Sequence, residues 1–171
     1  TVPQASVLKW ANDAASYGLD LIDAPMTGGA QGAEAGRLCY MVGGSTENLE
    51  LCRPCFETSA DKIVHAGALG AGIALKLCNN LITYAEFTAM SEATRLAEAA
   101  GLSADILREV GKSNGVINEQ MHMMISNRNA LAATCSEQQM DDIFGAFGRL
   151  GRKDLECAVE TAAQLGITMP A

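Results

Sequence analysis

Up to about residue 67 the hydrophobic and polar positions of this chain alternate between helix and strand spacing; beyond residue 72 they read only as helix. Pro3 suits the entry to a helix over 4–17, which Gly18 ends. The apolar run over 19–24 reads as a short buried strand, 28–36 as a glycine-rich loop, and 37–43 as a second strand. Ser45 is placed to cap a helix over 46–58, with Glu47 and Glu50 near its positive end. A third strand is predicted over 61–65, closed by Gly67. After it come a long Ala-rich helix over 73–100, stopped at Gly101, and shorter helices over 103–111, 116–126, 140–150 and 153–165. Ser103 is the expected cap of the first of these.

This order predicts an α/β remnant followed by an all-α part, divided as 1–68 and 69–171. Composition agrees. Of 171 residues, 49% are hydrophobic and 19% charged, so a packed core is expected, while aromatics at 5% favour close helix–helix packing over a β-sandwich. The formal net charge of −8 argues against a nucleic-acid partner. The nearest basic group, Arg149, Arg152 and Lys153, is too small for a DNA footprint. No apolar run is long enough to span a membrane, so none is expected.

Cys39, Cys52, Cys55, Cys78, Cys135 and Cys157 have no framework spacing and point to reduced thiols in a cytoplasmic-type compartment. Cys52-Arg53-Pro54-Cys55 matches a redox pattern, but Cys55 and Phe56 fall at positions read as the apolar side of a short helix, where a thiol serves as a small hydrophobe. With only His65 and His122 available, no metal site is expected.

Two motifs carry the chemistry. Asp23-Ala24-Pro25-Met26-Thr27-Gly28-Gly29 runs on to Gly32, Gly36 and Met41-Val42-Gly43-Gly44. Gly28 and Gly29 allow a tight turn that aims bare N–H groups at an anion, and Thr27 adds a hydroxyl. Read alone, this is either a carboxylate cradle or a plain glycine-rich turn. The second motif is Gly70-Ala71-Gly72 followed by Lys76, Asn79 and Asn80. Lys76 and Asn80 stand four apart, on one helical face. Among Ile73, Leu75, Leu77, Leu81 and Ile82, partial burial is expected to depress the lysine's pKa and suit it to general acid or base work. Lys153 and Asp154, taken alone, read as ordinary charges at a helix start.

In order, the stretches DAPMTGGAQGAEAGRLCYMVGG, GAGIALKLCNN and KDLECAVETAAQLG resemble three motifs of the β-hydroxyacid dehydrogenases, and most of all the 3-hydroxyisobutyrate dehydrogenase branch. That family usually has Ser at the position of Thr27. Its 6-phosphogluconate dehydrogenase relatives typically have His-Asn where this chain has Asn79-Asn80, so that branch fits less well. The resemblance implies a hydride transfer between NAD or NADP and a small 3-hydroxy acid or its semialdehyde. It makes Lys76 the proton donor or acceptor, gives Thr27, Gly28, Gly29 and Asn80 to a carboxylate-bearing substrate, and puts Thr1 and Lys153 beside the cofactor. A homo-oligomer is also implied.

The family opens with a strand and a GxGxxG dinucleotide fingerprint ahead of the substrate motif, and no such fingerprint precedes Asp23 here. The chain therefore reads as the end of a Rossmann-type domain plus most of a helical domain, and is expected to be inactive by itself. A noncatalytic helical dimerisation or binding module is the competing expectation.

Overall fold

The computed structural model of the protein describes residues 1–169. The element order is α1 (Gln4–Ala15), β1 (Met26–Thr27), α2 (Gly29–Glu34), β2 (Leu38–Gly43), α3 (Thr46–Phe56), β3 (Ala60–Gly67), α4 (Ala71–Ala99), α5 (Ala104–Ser113), α6 (Glu119–Ala132) and α7 (Glu137–Gln164). A small α/β part followed by a helical region is thus present. A three-stranded sheet has the order β1-β2-β3. β2 and β3 are parallel, whereas the two-residue β1 runs antiparallel to β2 with Met26 opposite Tyr40 and Thr27 opposite Cys39.

Packing divides the chain into two units, Thr1–Leu81 with the stretch from Arg152, and Ile82–Gly151. The first unit buries Leu38, Met41 and Val42 of β2, Leu49 of α3, Ile73 and Leu77 of α4, and Cys157 and Ala158 of α7. Val42, on the central strand of the three, has no measurable exposure. The second unit is held by Met90, Ile117, Met121 and Ile125, with Phe87 and Leu107 packed against them. Methionine fills the irregular gaps between helices that the scarcity of aromatics leaves.

Both predicted caps are present. The Ser45 hydroxyl accepts the Asn48 N–H at 3.1 Å, and the Ser103 hydroxyl accepts the Ile106 N–H at 3.4 Å. Four sequence expectations need correction. Residues 19–24 do not form a buried strand. Leu19 is exposed, and only Asp23 pairs, in an isolated antiparallel bridge to Gly43, because Pro25 follows and cannot extend the ladder as a donor. The loop over 28–36 contains the six-residue helix α2, whose Ala30, Gln31, Ala33 and Glu34 are good helix formers.

The two helices expected over 140–150 and 153–165 are one, α7. Gly151 does not break it. A Cβ there would stand 3.0 Å from Tyr84 Cε1, so the glycine serves close packing on an aromatic ring within a continuous helix. Cys55, last, is exposed. On α3 the inward face is set by Leu49, Cys52 and Phe56, the last stacked on Tyr40 at 4.9 Å, and Cys55 is rotated off that face. Asn118, overlooked as a cap, starts α6 by accepting the Met121 N–H at 2.9 Å.

Candidate active site

The glycine loop sits where β1 ends and α2 begins. Gly28 and Gly29 have φ of 128° and 63°, both in the region that an L side chain rarely enters, and this lets the chain leave the sheet edge and start a helix at once. Thr27 is half-buried beside them, while both glycines are exposed, so the backbone of the turn is open to a small ligand.

The second motif forms the first turns of α4. Ile73 and Leu77 are buried, Lys76 is half-buried between them, and Asn80 is buried one turn further on. Burial pushes the Lys76 ammonium below the ordinary lysine value, and the charge of Asp154 opposes this. The Asn80 amide donates to Asp154 Oδ2 at 2.7 Å, and Asn79 Nδ2 donates to Asn80 Oδ1 at 3.3 Å. Asn80 is thereby held in one orientation.

Asp154 is the residue that sequence reasoning missed. It lies inside α7 rather than at a helix start, and it is only 6% exposed. Burial pushes its carboxyl up, but the hydrogen bond and charge of Lys153, with Thr1 and Asn80, bring it below the ordinary carboxylate range. Lys153 Nζ stands 3.0 Å from Asp154 Oδ1 and donates to the Thr1 carbonyl at 2.9 Å. Four residues assigned on resemblance, Thr1, Lys76, Asn80 and Lys153, therefore have one common electrostatic neighbour. A signal for it existed. Asp154, Cys157, Ala158 and Thr161 follow the spacing of a buried helical stripe, and all four are buried. A carboxylate in such a stripe needs partners, and here it has them.

The Gly70-Ala71-Gly72 turn does not act as an open anion cradle. The Gly70 and Ile73 N–H groups point into the protein, to the Asp23 carboxylate. Among the described residues, no helix is long and apolar enough to cross a membrane.

Comparison with known proteins identifies the family of the chain. Residues 1–67 match the NAD binding domain of 6-phosphogluconate dehydrogenase, and residues 70–171 match the NAD-binding region of NADP-dependent 3-hydroxyisobutyrate dehydrogenase. A probable 3-hydroxyisobutyrate dehydrogenase of Mycobacterium tuberculosis is 47% identical over 157 residues, 92% of this chain and 53% of the relative. The 2-(hydroxymethyl)glutarate dehydrogenase of Eubacterium barkeri is 35% identical over 99% of this chain and 54% of its own length. The chain thus spans about half the length of these relatives. Among solved structures, the M. tuberculosis 3-hydroxyisobutyrate dehydrogenase with L-serine superposes with a TM-score of 0.78 at 33% identity, covering 99% of this chain and 58% of that one. By its matching region, its relatives and its fold, the chain belongs to the 3-hydroxyisobutyrate dehydrogenase family of β-hydroxyacid dehydrogenases.

Proposed function

We propose that this chain supplies the substrate loop and the proton-transfer helix of an oxidoreductase that passes a hydride between NAD(P) and a small 3-hydroxy acid or its semialdehyde. The observation that carries the reading is Lys76. Its amine is half-buried, its pKa is lowered by that burial, and it stands one helical turn from a buried amide–carboxylate pair. A surface lysine has none of these features.

The residues present fit one end of a dinucleotide. Thr1 and Lys153 stand 152 positions apart in sequence yet meet through a 2.9 Å hydrogen bond, and the Lys153 amine remains exposed beside Asp154. These two would border the nicotinamide. When bound, that ring accepts or supplies the hydride. The pyrophosphate would have to be held elsewhere, because the N–H groups of the Gly70 turn already serve Asp23.

In oxidation, neutral Lys76 takes the substrate hydroxyl proton as the C–H bond gives up its hydride; in reduction the ammonium returns it. Asn80 keeps one amide proton on Asp154 and turns the other to a substrate oxygen. Thr27, Gly28 and Gly29 receive the carboxylate through a hydroxyl and two backbone N–H groups. The six free cysteines suit a reducing, cytoplasmic setting. A homo-oligomer is the expected assembly.

The loop assignment has its own test. Thr27→Val keeps the shape of the side chain and removes the hydroxyl. A hydrogen bond to a charged group is worth roughly 1.5–3 kcal/mol, so KM for the hydroxy acid should rise about tenfold or more while cofactor KM stays as it was. Loss of cofactor affinity with unchanged substrate affinity would assign the loop to the other ligand.

A further inference from the structure

Asp23 begins the substrate motif, yet its side chain points away from the loop and into the protein, where the residue is 8% exposed. Oδ1 accepts the Gly70 N–H at 2.7 Å and Oδ2 accepts the Ile73 N–H at 2.5 Å. Both donors belong to the start of α4, where backbone N–H groups lack helical partners and the dipole favours a negative charge. The main chain of Asp23 is fixed as firmly. Its N–H donates to Gly43 O at 3.0 Å, and the Gly43 N–H donates back to Asp23 O at 2.8 Å. Two residues on, the Pro25 carbonyl accepts the Met41 N–H at 2.9 Å, and β1 then leads directly to Thr27, Gly28 and Gly29.

Strand and helix close tightly on this carboxylate. A Cβ on Gly43 would lie 2.2 Å from Asp23 Oδ1, and one on Gly72 would lie 2.8 Å from Oδ2 and 2.4 Å from the Met41 carbonyl. Each glycine is a place where strand or helix closes directly on the side chain. A cap needs only one acceptor atom, and one bond leaves a helix free to turn about it. Two bonds, to donors three residues apart, fix both the height and the rotation of α4. Lys76 lies three residues beyond Ile73, on the same helical face.

We propose that Asp23 is a positioning residue that locks the Lys76 helix to the substrate loop, so that the loop and the amine keep one fixed relation. The Asp of the first motif and the Gly-Ala-Gly of the second are thus two halves of a single joint. The proposal rests on the proton-transfer role given to Lys76.

Asp23→Asn and Asp23→Ser in the complete gene product test it. Asp23→Asn keeps one acceptor oxygen and puts an amide donor in place of the other, and Asp23→Ser offers a single acceptor of shorter reach, so each gives up the two-oxygen grip. Amide exchange over residues 70–80, read by mass spectrometry, should quicken about tenfold. Turnover per folded molecule should fall about tenfold, with cofactor KM unchanged. A purely structural role would lower the melting temperature and leave turnover per folded molecule intact, and that result overturns the proposal, as does unchanged exchange. Lys76→Ala, assayed in parallel, separates the two readings: if it retains turnover the lysine's role fails, while the exchange measurement still judges the two-oxygen grip.

Discussion

Lys76→Ala should lower turnover of the complete gene product by about 10²–10⁴, the range for removal of a general acid or base, while the protein stays folded. In the proposed reaction one proton must move with each hydride, and the Asp154 carboxylate that touches this network is already engaged by Asn80 and Lys153. The same position should trade activity for stability. The folded pKa of Lys76 is depressed by burial. Between that value and the ordinary lysine value the unfolded chain binds more protons, so stability rises with pH across this window. Below the window the cost of burying the ammonium is present in full. Lys76→Met should therefore be inactive yet somewhat more stable at neutral pH, by an amount that solvent screening of the half-exposed amine keeps small, with the gain shrinking in strongly alkaline solution. Steady-state kinetics and thermal unfolding on the two variants read both effects. Near-normal turnover in Lys76→Ala would remove the lysine from the mechanism.

Asp154→Asn should show the second large effect, on stability and on catalysis together. The substitution keeps the side chain's shape and removes its charge, leaving the Asn80 amide and the Lys153 ammonium with a weaker acceptor. Hydrogen bonds to a charged group are worth roughly 1.5–3 kcal/mol, and the half-exposed Lys153 adds little to that because solvent screens it. The sign with pH follows from the carboxyl's folded pKa, which lies below its ordinary value. Its contribution is complete above the ordinary carboxylate range and is lost as pH falls through the folded value, so the deficit of Asp154→Asn should close in acid. Catalytically, Asp154 raises the Lys76 pKa against the effect of burial. Without that charge the Lys76 pKa falls further, and the kinetic limb it controls should move to lower pH. A roughly tenfold loss of turnover is expected as Asn80 loses its fixed orientation. A variant with unchanged stability, turnover and pH profile would mean that Asp154 is a bystander.

Much of this candidate site can be read from the sequence because its parts are local. A threonine and two glycines after a strand, or a lysine and an asparagine four apart in an apolar helix, can be recognised without knowing what packs against them. The caps at Ser45 and Ser103 were legible for the same reason, since each requires only a hydroxyl and an N–H three residues on. What failed to show depends on distant partners. Asp154 reads as a helix-start charge until α7 is seen to run unbroken past Gly151, which is possible because the glycine packs on Tyr84. Asp23 reads as part of an anion loop until its side chain is found 47 residues away, at the start of α4. The strand expected over 19–24 was lost because its apolar run precedes Pro25 and has a single pairing partner, Gly43. Cys55 was misread because one position of helical rotation separates it from the buried face of α3.

The central claim is that Lys76 carries the proton that accompanies the hydride. The most direct test is the pH dependence of kcat/KM in both directions of the reaction, for the complete gene product and for Lys76→Met. Oxidation requires the neutral amine and reduction the ammonium. One pKa, below the ordinary lysine value, should therefore appear as the rising limb of oxidation and the falling limb of reduction, and both limbs should vanish from the residual activity of Lys76→Met. Limbs that persist unchanged in that variant would assign the proton to another group and contradict the account.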